Sequence, residues 1–316
     1  MAARTELSEL HLLQAAAGQD VRRLFLKLEN QQPIGSFKLR GAYNKIASLS
    51  EDERRRGVIS YSSGNHAQGV AYAARSLGVK AIIVMPSNAP AIKRRATVSL
   101  GATIVMVGPG SEERRIKAEE LAAEHGYAIV PPYDDEKIIA GQGTIGLETL
   151  EDLPDVETVL VPVGGGGMIS GIATAIKLSK PDAKVIGVEP ELAGDAQASL
   201  RSGKLVHFAA EKVNQTIADG LRTQSIGPIN FAHIRKYVDD IVAVTEDEIR
   251  ETVRRLALDP KTMSEPSGAV AVAAFLFHRD QLPGTKLNVA VISGGNIEPN
   301  LLEEITRSSA INSVSR

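Results

Sequence analysis

Cysteine and tryptophan are absent from the 316 residues of this chain. Without cysteine there is no disulfide, no thiolate metal ligand and no thiol nucleophile, so covalent chemistry falls to another side chain. Aromatic residues make up 4%, too few for a base-stacking surface or a sugar platform, which turns the search toward small polar substrates. Neither sign of charge is in excess. Thirty-six Lys and Arg against 38 Asp and Glu leave a formal −2, so no global field recruits nucleic acid or an anionic membrane. The longest apolar run, Gly268 to Phe277, is too short to cross a bilayer, and the start, Met1 to Leu10, is polar and mixed in charge. A cytoplasmic protein is expected, with a small-molecule substrate and neither a nucleic-acid nor a membrane partner. The six histidines lack an H-x-x-x-H spacing, so zinc is not expected.

What is present suffices for sizeable cores. A hydrophobic share of 43% with 23% charged residues excludes a disordered chain, and at roughly 150 residues per domain the length suggests about two domains. Short β-rich runs alternate with helical patterns, the signature of an α/β protein with parallel sheets. Strands Val58 to Tyr61, Ala81 to Met85, Thr103 to Val107 and Ala128 to Val130 read as one unit with helices from Ala67, from Ala91 and over Glu112 to His125. It ends at Pro131-Pro132. A second series holds strands Thr158 to Val163, Lys184 to Val188, Ile241 to Val244 and Leu287 to Ile292, with helices from Glu246 and Glu265. Thr245 and Glu248 have the spacing of a capping box. The chain is therefore expected to form a small domain, 57–134, and a large one, 1–56 plus 135–316. No linker separates them, so they should pack around a shared cleft, with ligands beyond the carboxyl ends of strands.

Three loops stand out. Gly164-Gly165-Gly166-Gly167-Met168 follows a strand and opens a helix, leaving unobstructed backbone N–H groups where peptide dipoles favour a phosphate. Neither the G-x-G-x-x-G fingerprint nor the Walker pattern fits it, so one phosphate on a small cofactor is expected. Lys38, in Gly35-Ser36-Phe37-Lys38-Leu39-Arg40-Gly41, enters a helix after Pro33 and Gly35. A lone helical lysine is ordinarily a solvated charge, but desolvation together with Arg40 and Lys45 would depress its pKa as an amine nucleophile requires. Ser62-Ser63-Gly64-Asn65-His66 offers hydroxyls, an amide and backbone donors before a helix near Ala67, which suits a carboxylate or, equally, a plain capped turn. A further loop, Ser293-Gly294-Gly295-Asn296, follows an apolar strand.

Together with Ala140-Gly141-Gln142-Gly143-Thr144-Ile145-Gly146, these segments resemble the fold-type II pyridoxal-phosphate enzymes, in the branch of serine/threonine dehydratases and serine racemases. The resemblance covers nearly the whole chain. It implies two open twisted parallel-sheet domains of the tryptophan synthase β-like kind, with pyridoxal 5'-phosphate in the cleft and a homodimer or dimer of dimers. It also implies that Lys38 forms the Schiff base and takes the Cα proton, that Gly164, Gly165, Gly166, Gly167 and Met168 hold the phosphate, and that Asn65 meets the ring oxygen. Ser62, Ser63, Gly64 and His66 would surround the substrate carboxylate, and Ser293 would face the pyridine nitrogen, where a hydroxyl leaves the ring largely unprotonated. The helix preceding the first strand in this family is expected to be short or missing. The additional C-terminal domain of isoleucine-regulated members is not expected, since the chain stops soon after Glu304.

In the racemase-like branch an acid, a backbone carbonyl and an Asp form a divalent-cation site, matching Glu189, Ala193 and Asp195, and oxygen ligands suit Mg²⁺ or Ca²⁺. The same acids would also complement a helix N-terminus. Glu189 stands 22 positions after Gly167 and mimics a ribose-binding acid, but the fingerprint is missing. Arg114 falls where racemase-like members carry an Arg near the substrate, which would admit acidic substrates. The expected activity is an ammonia-lyase (dehydratase) acting on L-threonine and L-serine, with serine racemase or threo-3-hydroxyaspartate dehydratase as nearest alternatives. A nicotinamide-binding oxidoreductase and a non-catalytic amino-acid sensor are the alternatives from other classes. Ser63 is the candidate proton donor on the face of Cα opposite Lys38, and would give a racemase side activity.

Overall fold

The computed structural model describes residues 1–10, 22–62, 64–87, 89, 91–108 and 111–312. The region where a helix would precede the long first strand includes 11–21, which lie outside them. Two parallel sheets carry the fold. The larger is built from β1 (Leu7–Glu9), β2 (Arg23–Leu28), β7 (Thr158–Pro162), β8 (Lys184–Pro190), β9 (Asp240–Val244) and β10 (Leu287–Ile292) in the order β1-β2-β10-β7-β8-β9. All its pairings are parallel except β1 with β2. The smaller, of β3 (Val58–Tyr61), β4 (Ala81–Pro86), β5 (Thr103–Val107) and β6 (Ala128–Ile129), has the order β5-β4-β3-β6 and is wholly parallel. Central strands such as Ala-Ile-Ile-Val-Met-Pro of β4 are buried along their whole length, because helices cover both faces of a parallel sheet.

One face of the larger sheet packs on α11 (Glu246–Leu256) and the apolar α12 (Pro266–Phe277), the other on α7 (Gly167–Ser179). The Thr245–Glu248 capping box forms as expected: the Thr245 hydroxyl accepts from Glu248 N–H and the Glu248 carboxylate from Thr245 N–H. The core of the smaller sheet is shared. Leu39, Ala42 and Ile46 of α1 (Lys38–Ala47) and Ile138 of α6 (Glu136–Asp152) pack into it with Ala67, Val70, Ala71 and Ala74 of α3 (Asn65–Ser76). Helix α3 begins at Asn65 rather than near Ala67, so Asn65 and His66 stand in its first turn instead of in a loop.

The glycines of residues 140–146 turn out to be a packing surface. A Cβ on Gly141 would stand 2.6 Å from the Arg40 carbonyl oxygen, and one on Gly171 2.3 Å from that of Ile139. Helices α1, α6 and α7 thus meet backbone to backbone, which draws the residues at their N-terminal ends together. Among the described residues no helix is long and apolar enough to cross a membrane.

Candidate active site

Lys38 opens α1 half-buried, with its amine desolvated and Nζ donating to the Pro132 carbonyl at 2.8 Å. Desolvation pushes its pKa down to about 8, against the opposing pull of Glu265. The neighbouring cations are not the cause. Arg40 is neutralised by Glu29 and Glu148, and Lys45 donates to Asp135 at 2.6 Å. The expectation that Arg40 and Lys45 depress the Lys38 pKa is therefore corrected: each cation is spent on its own carboxylates.

Three of the singled-out loops converge on this amine. The residue after Pro132, Tyr133, lies against the glycine loop, where a Cβ on Gly165 would fall 2.2 Å from its ring and one on Gly167 2.9 Å from its carbonyl oxygen. From the other side, Phe37 N–H donates to the Ser293 carbonyl at 3.0 Å and Gly295 N–H to that of Gly35 at 2.9 Å. The third loop enters through α3, which packs on α1 closely enough that a Cβ on Gly69 would stand 3.2 Å from the Lys38 carbonyl. Asn65 Nδ2 donates to Glu265 at 2.7 Å, and Asn296 Nδ2 donates to Asn65 Oδ1 at 2.8 Å. Ser293 is buried. Ser62 accepts from Gly64 N–H at 3.3 Å, while Ser63 lies outside the described residues.

The glycine loop is built to hold an anion. Gly166 has φ of 91°, a left-handed conformation that suits glycine, and it turns the chain into α7. Among the described residues, the backbone N–H groups of Gly164 to Met168 donate to no protein acceptor, although all but Gly164 are buried. Buried unpaired donors at a helix N-terminus fit a phosphate. The residues present therefore fit pyridoxal phosphate: a desolvated amine and a phosphate cradle meet in one cleft.

His66 is buried with Nε2 3.0 Å from the Val130 carbonyl oxygen. Burial and then Lys38 push its pKa down to about 3, so the ring is neutral. A carbonyl can only accept, hence the proton sits on Nε2 and Nδ1 is a bare acceptor. The imidazole cannot donate to a substrate carboxylate, which leaves the backbone N–H of His66 as its donor in that neighbourhood.

Glu189, at the end of β8, accepts from Ala196 N–H at 3.2 Å and from Gln197 N–H at 2.9 Å, capping α8 (Asp195–Ser202). Ala193 closes a short 3-10 helix between them. Burial and then the Asp195 charge hold Glu189 well above the usual carboxylate range, and burial pushes Asp195 up to about 7. Asp195 Oδ2 is buried without a hydrogen-bond partner. Two buried acids with a free oxygen fit a divalent cation, although no cluster of three His, Asp or Glu that could hold a metal occurs among the described residues. Arg114 lies half-buried on α5 (Ser111–His125), a helix packed on β3 and β4, and burial lowers its pKa. It stands on the smaller sheet's side of the molecule.

The family model for pyridoxal-phosphate dependent enzymes matches residues 2–294. The chain belongs to this family. It is 47% identical over 312 residues to the L-threonine ammonia-lyase of Thermotoga maritima, covering 98% of this chain and 75% of that protein. The L-threo-3-hydroxyaspartate ammonia-lyase of Saccharomyces cerevisiae is 44% identical, over 87% of this chain and 83% of that one. Among solved structures, the processed threonine deaminase isoform 2 of Solanum lycopersicum superposes with a TM-score of 0.90 at 38% identity, covering 97% of this chain and 88% of that one. Pyridoxal phosphate is thus the cofactor of the family, and the two-sheet α/β fold is that of its solved members.

Glu265 and Tyr133 are site residues that the loop reading passed over. The signal for Glu265 is its place, an acid directly before Pro266 at the start of a helix with no charged residue from Pro266 to Phe277, although the helix dipole by itself also accounts for an acid there. Tyr133 carries no comparable sign.

Proposed function

We propose that the chain is a pyridoxal-phosphate dependent ammonia-lyase that converts L-threonine and L-serine to 2-oxobutanoate and pyruvate with release of ammonia. The observation that carries this reading is the buried Lys38 amine, its pKa lowered by desolvation and its Nζ held at Pro132, next to a glycine loop with unpaired N–H groups. Bound pyridoxal phosphate supplies a carbonyl for covalent attachment and a conjugated ring that accepts the electron pair left at Cα. Lys38 would hold the cofactor through its amine and, once freed from it, would move the proton at Cα. The N–H groups of Gly164, Gly165, Gly166, Gly167 and Met168 would hold the phosphate. Asn65, oriented by Glu265 and Asn296, would meet the ring oxygen.

Ser293 would face the ring nitrogen, where its hydroxyl, unlike a carboxylate, would not enforce protonation. Elimination of the β-hydroxyl is favoured over a long-lived carbanion. Ser62, Ser63 and backbone donors of Gly64 and His66 receive the substrate carboxylate, and half-buried Arg114 would admit an acidic β-substituent. Glu189, the Ala193 carbonyl and Asp195 would hold Mg²⁺ or Ca²⁺, neutralising two acids that otherwise repel. In this reading the protein works in the cytoplasm as a homodimer or dimer of dimers, and residues 57–134 move as the smaller domain.

A panel of L-threonine, L-serine, D-serine and threo-3-hydroxyaspartate, assayed for oxo acid and for enantiomer, tests the assignment. Oxo acid from L-threonine is the expected result; none from L-threonine or L-serine would overturn it. Ser63→Ala should suppress D-serine formation more than pyruvate formation. Equal loss of both would leave Ser63 as a carboxylate-binding residue.

A further inference from the structure

One charged contact spans the two sheets at the cleft. Lys93 lies on α4 (Ala91–Ser99), a helix of the smaller sheet, and donates from Nζ to Asp219 Oδ2 at 2.8 Å. The Glu298 carboxylate stands 3.9 Å away. Both acids belong to the larger sheet's side: Asp219 opens the 3-10 helix Asp219–Leu221, and Glu298 directly precedes α13 (Pro299–Asn312). The Lys93 side chain is 19% exposed but that of Asp219 is 43% exposed, so the pair is open to water on the carboxylate side and sensitive to salt.

The neighbour of Asp219 along the chain links this contact to the site. Gly220 packs on the glycine loop, its carbonyl oxygen 3.2 Å from where a Gly164 Cβ would be, and its N–H donates to Ser267 at 2.8 Å on the first turn of α12. Glu265, immediately before α12, feels the same charges: Asp219 raises its pKa, while Lys93 and Lys38 lower it. Glu265 in turn accepts from Asn65. Lys93 therefore has two means of reaching the reacting centre, a mechanical one through Asp219 and an electrostatic one through Glu265.

We propose that Lys93 is a positioning residue, whose ammonium latches the smaller sheet to Asp219 and Glu298 and so holds the cleft closed around the Glu265–Asn65 pair when substrate is bound. The proposal rests on the reading of the residues around Lys38 as the site of reaction. Closure of this kind excludes water and completes the constellation around the substrate. The latch is an ion pair, so salt should loosen it.

The test uses the holoenzyme with Lys93→Met, Lys93→Arg and Asp219→Asn, read by steady-state kinetics on L-threonine, by hydrogen exchange of the α4 amides and by pH titration of the bound cofactor's absorbance. Lys93→Met should raise KM about tenfold, with a smaller change in kcat, and should speed α4 exchange several-fold. Lys93→Arg should restore both. The titration separates this role from a merely structural one, since the charge changes are opposite. Burial pushes the Glu265 pKa up to about 7; removing the Lys93 cation should move the transition that follows Glu265 up in pH, and removing the Asp219 anion should move it down, although both loosen the latch. Unchanged exchange in both variants, or transitions moving in the same direction, would overturn the proposal. Exchange needs no turnover, so a wild type inactive on L-threonine and L-serine would refute the proposed reaction while the latch is still judged.

Discussion

Lys38 and Arg40 are two desolvated cations on one helix, two residues apart, the first half-buried and the second buried, and they live under opposite electrostatics. Burial works against the charge of each. For Arg40 the hydrogen bonds to Glu29 and Glu148 outweigh it and hold the guanidinium above its ordinary range. Its Nε and Nη2 take both oxygens of Glu29, its Nη1 and Nη2 both oxygens of Glu148, all between 2.7 and 2.8 Å, and Nη1 also reaches Thr144. Lys27, fully buried beside it, donates to the Thr5 carbonyl and shares Glu148. Among the described residues the Lys38 amine meets a backbone carbonyl and, 5.1 Å away, the Phe37 ring, with Glu265 acting at a distance. A paired buried cation locks helices together; one left without a carboxylate is an amine ready to lose its proton. Burial is common to both, and the partner decides the role.

The contrast can be broken most decisively at Lys38. Lys38→Ala removes covalent anchor and general base together, and turnover should fall by about 10⁴ or more, with far-UV circular dichroism unchanged. Residual activity above a few per cent would mean that Lys38 is not the nucleophile. The second test is Arg40→Met, which leaves Glu29 and Glu148 facing each other in the core. It should cost about 3–5 kcal/mol in urea unfolding, and a cost below about 1 kcal/mol would reduce the network to a surface-like contact.

The comparison is sharpened by making the same kind of change at Lys38. In cofactor-free protein, Lys38→Met should stabilise the fold at pH 7, by up to about 3 kcal/mol, because it relieves a desolvated charge. The sign with pH is set by linkage. Between about 8, the folded value, and 10.5, the ordinary lysine value, the unfolded chain holds a proton on Lys38 that the folded one does not, so wild-type stability rises with pH across that window. Below about 8 both states are protonated and the full penalty is present. The advantage of Lys38→Met should therefore shrink as pH climbs from 8 toward 10.5, and a pH-independent advantage would contradict the lowered pKa.

Glu189 and Asp195 are the acidic counterpart, two buried carboxyl groups side by side, which on the proposed reading share a divalent cation. A chelator should lower the melting temperature of the wild type by roughly 5 °C and leave Asp195→Ala within about 1 °C. Identical responses would remove the ion from this pair.

Much of the fold and site is legible in the order of residues. The α/β alternation, the four parallel strands of the smaller sheet and the turn of Gly164 to Met168 into a helix come from local rules: β-rich runs between helical periods, and consecutive glycines where a strand enters a helix. Lys38 stood out because its segment matched a known family, since a lysine on a helix carries no chemical mark of its own. β1 and β2 were passed over because Arg23, Lys27 and the short Leu7–Glu9 segment break the apolar pattern expected of strands. Lys27 is buried all the same, since its charge is met by Glu148 and the Thr5 carbonyl.

Sequence alone determined which residues could do chemistry, because side-chain type, glycine content and helix starts are properties of neighbours along the chain. Only the tertiary structure decided which buried cation became the amine. The carboxylates that claim Arg40 come from positions 29 and 148, and Lys45 is claimed by position 135. Lys38 meets none of them directly. The Coulomb interaction and the loss of water depend on distances across folded elements, and no spacing along the chain records those distances.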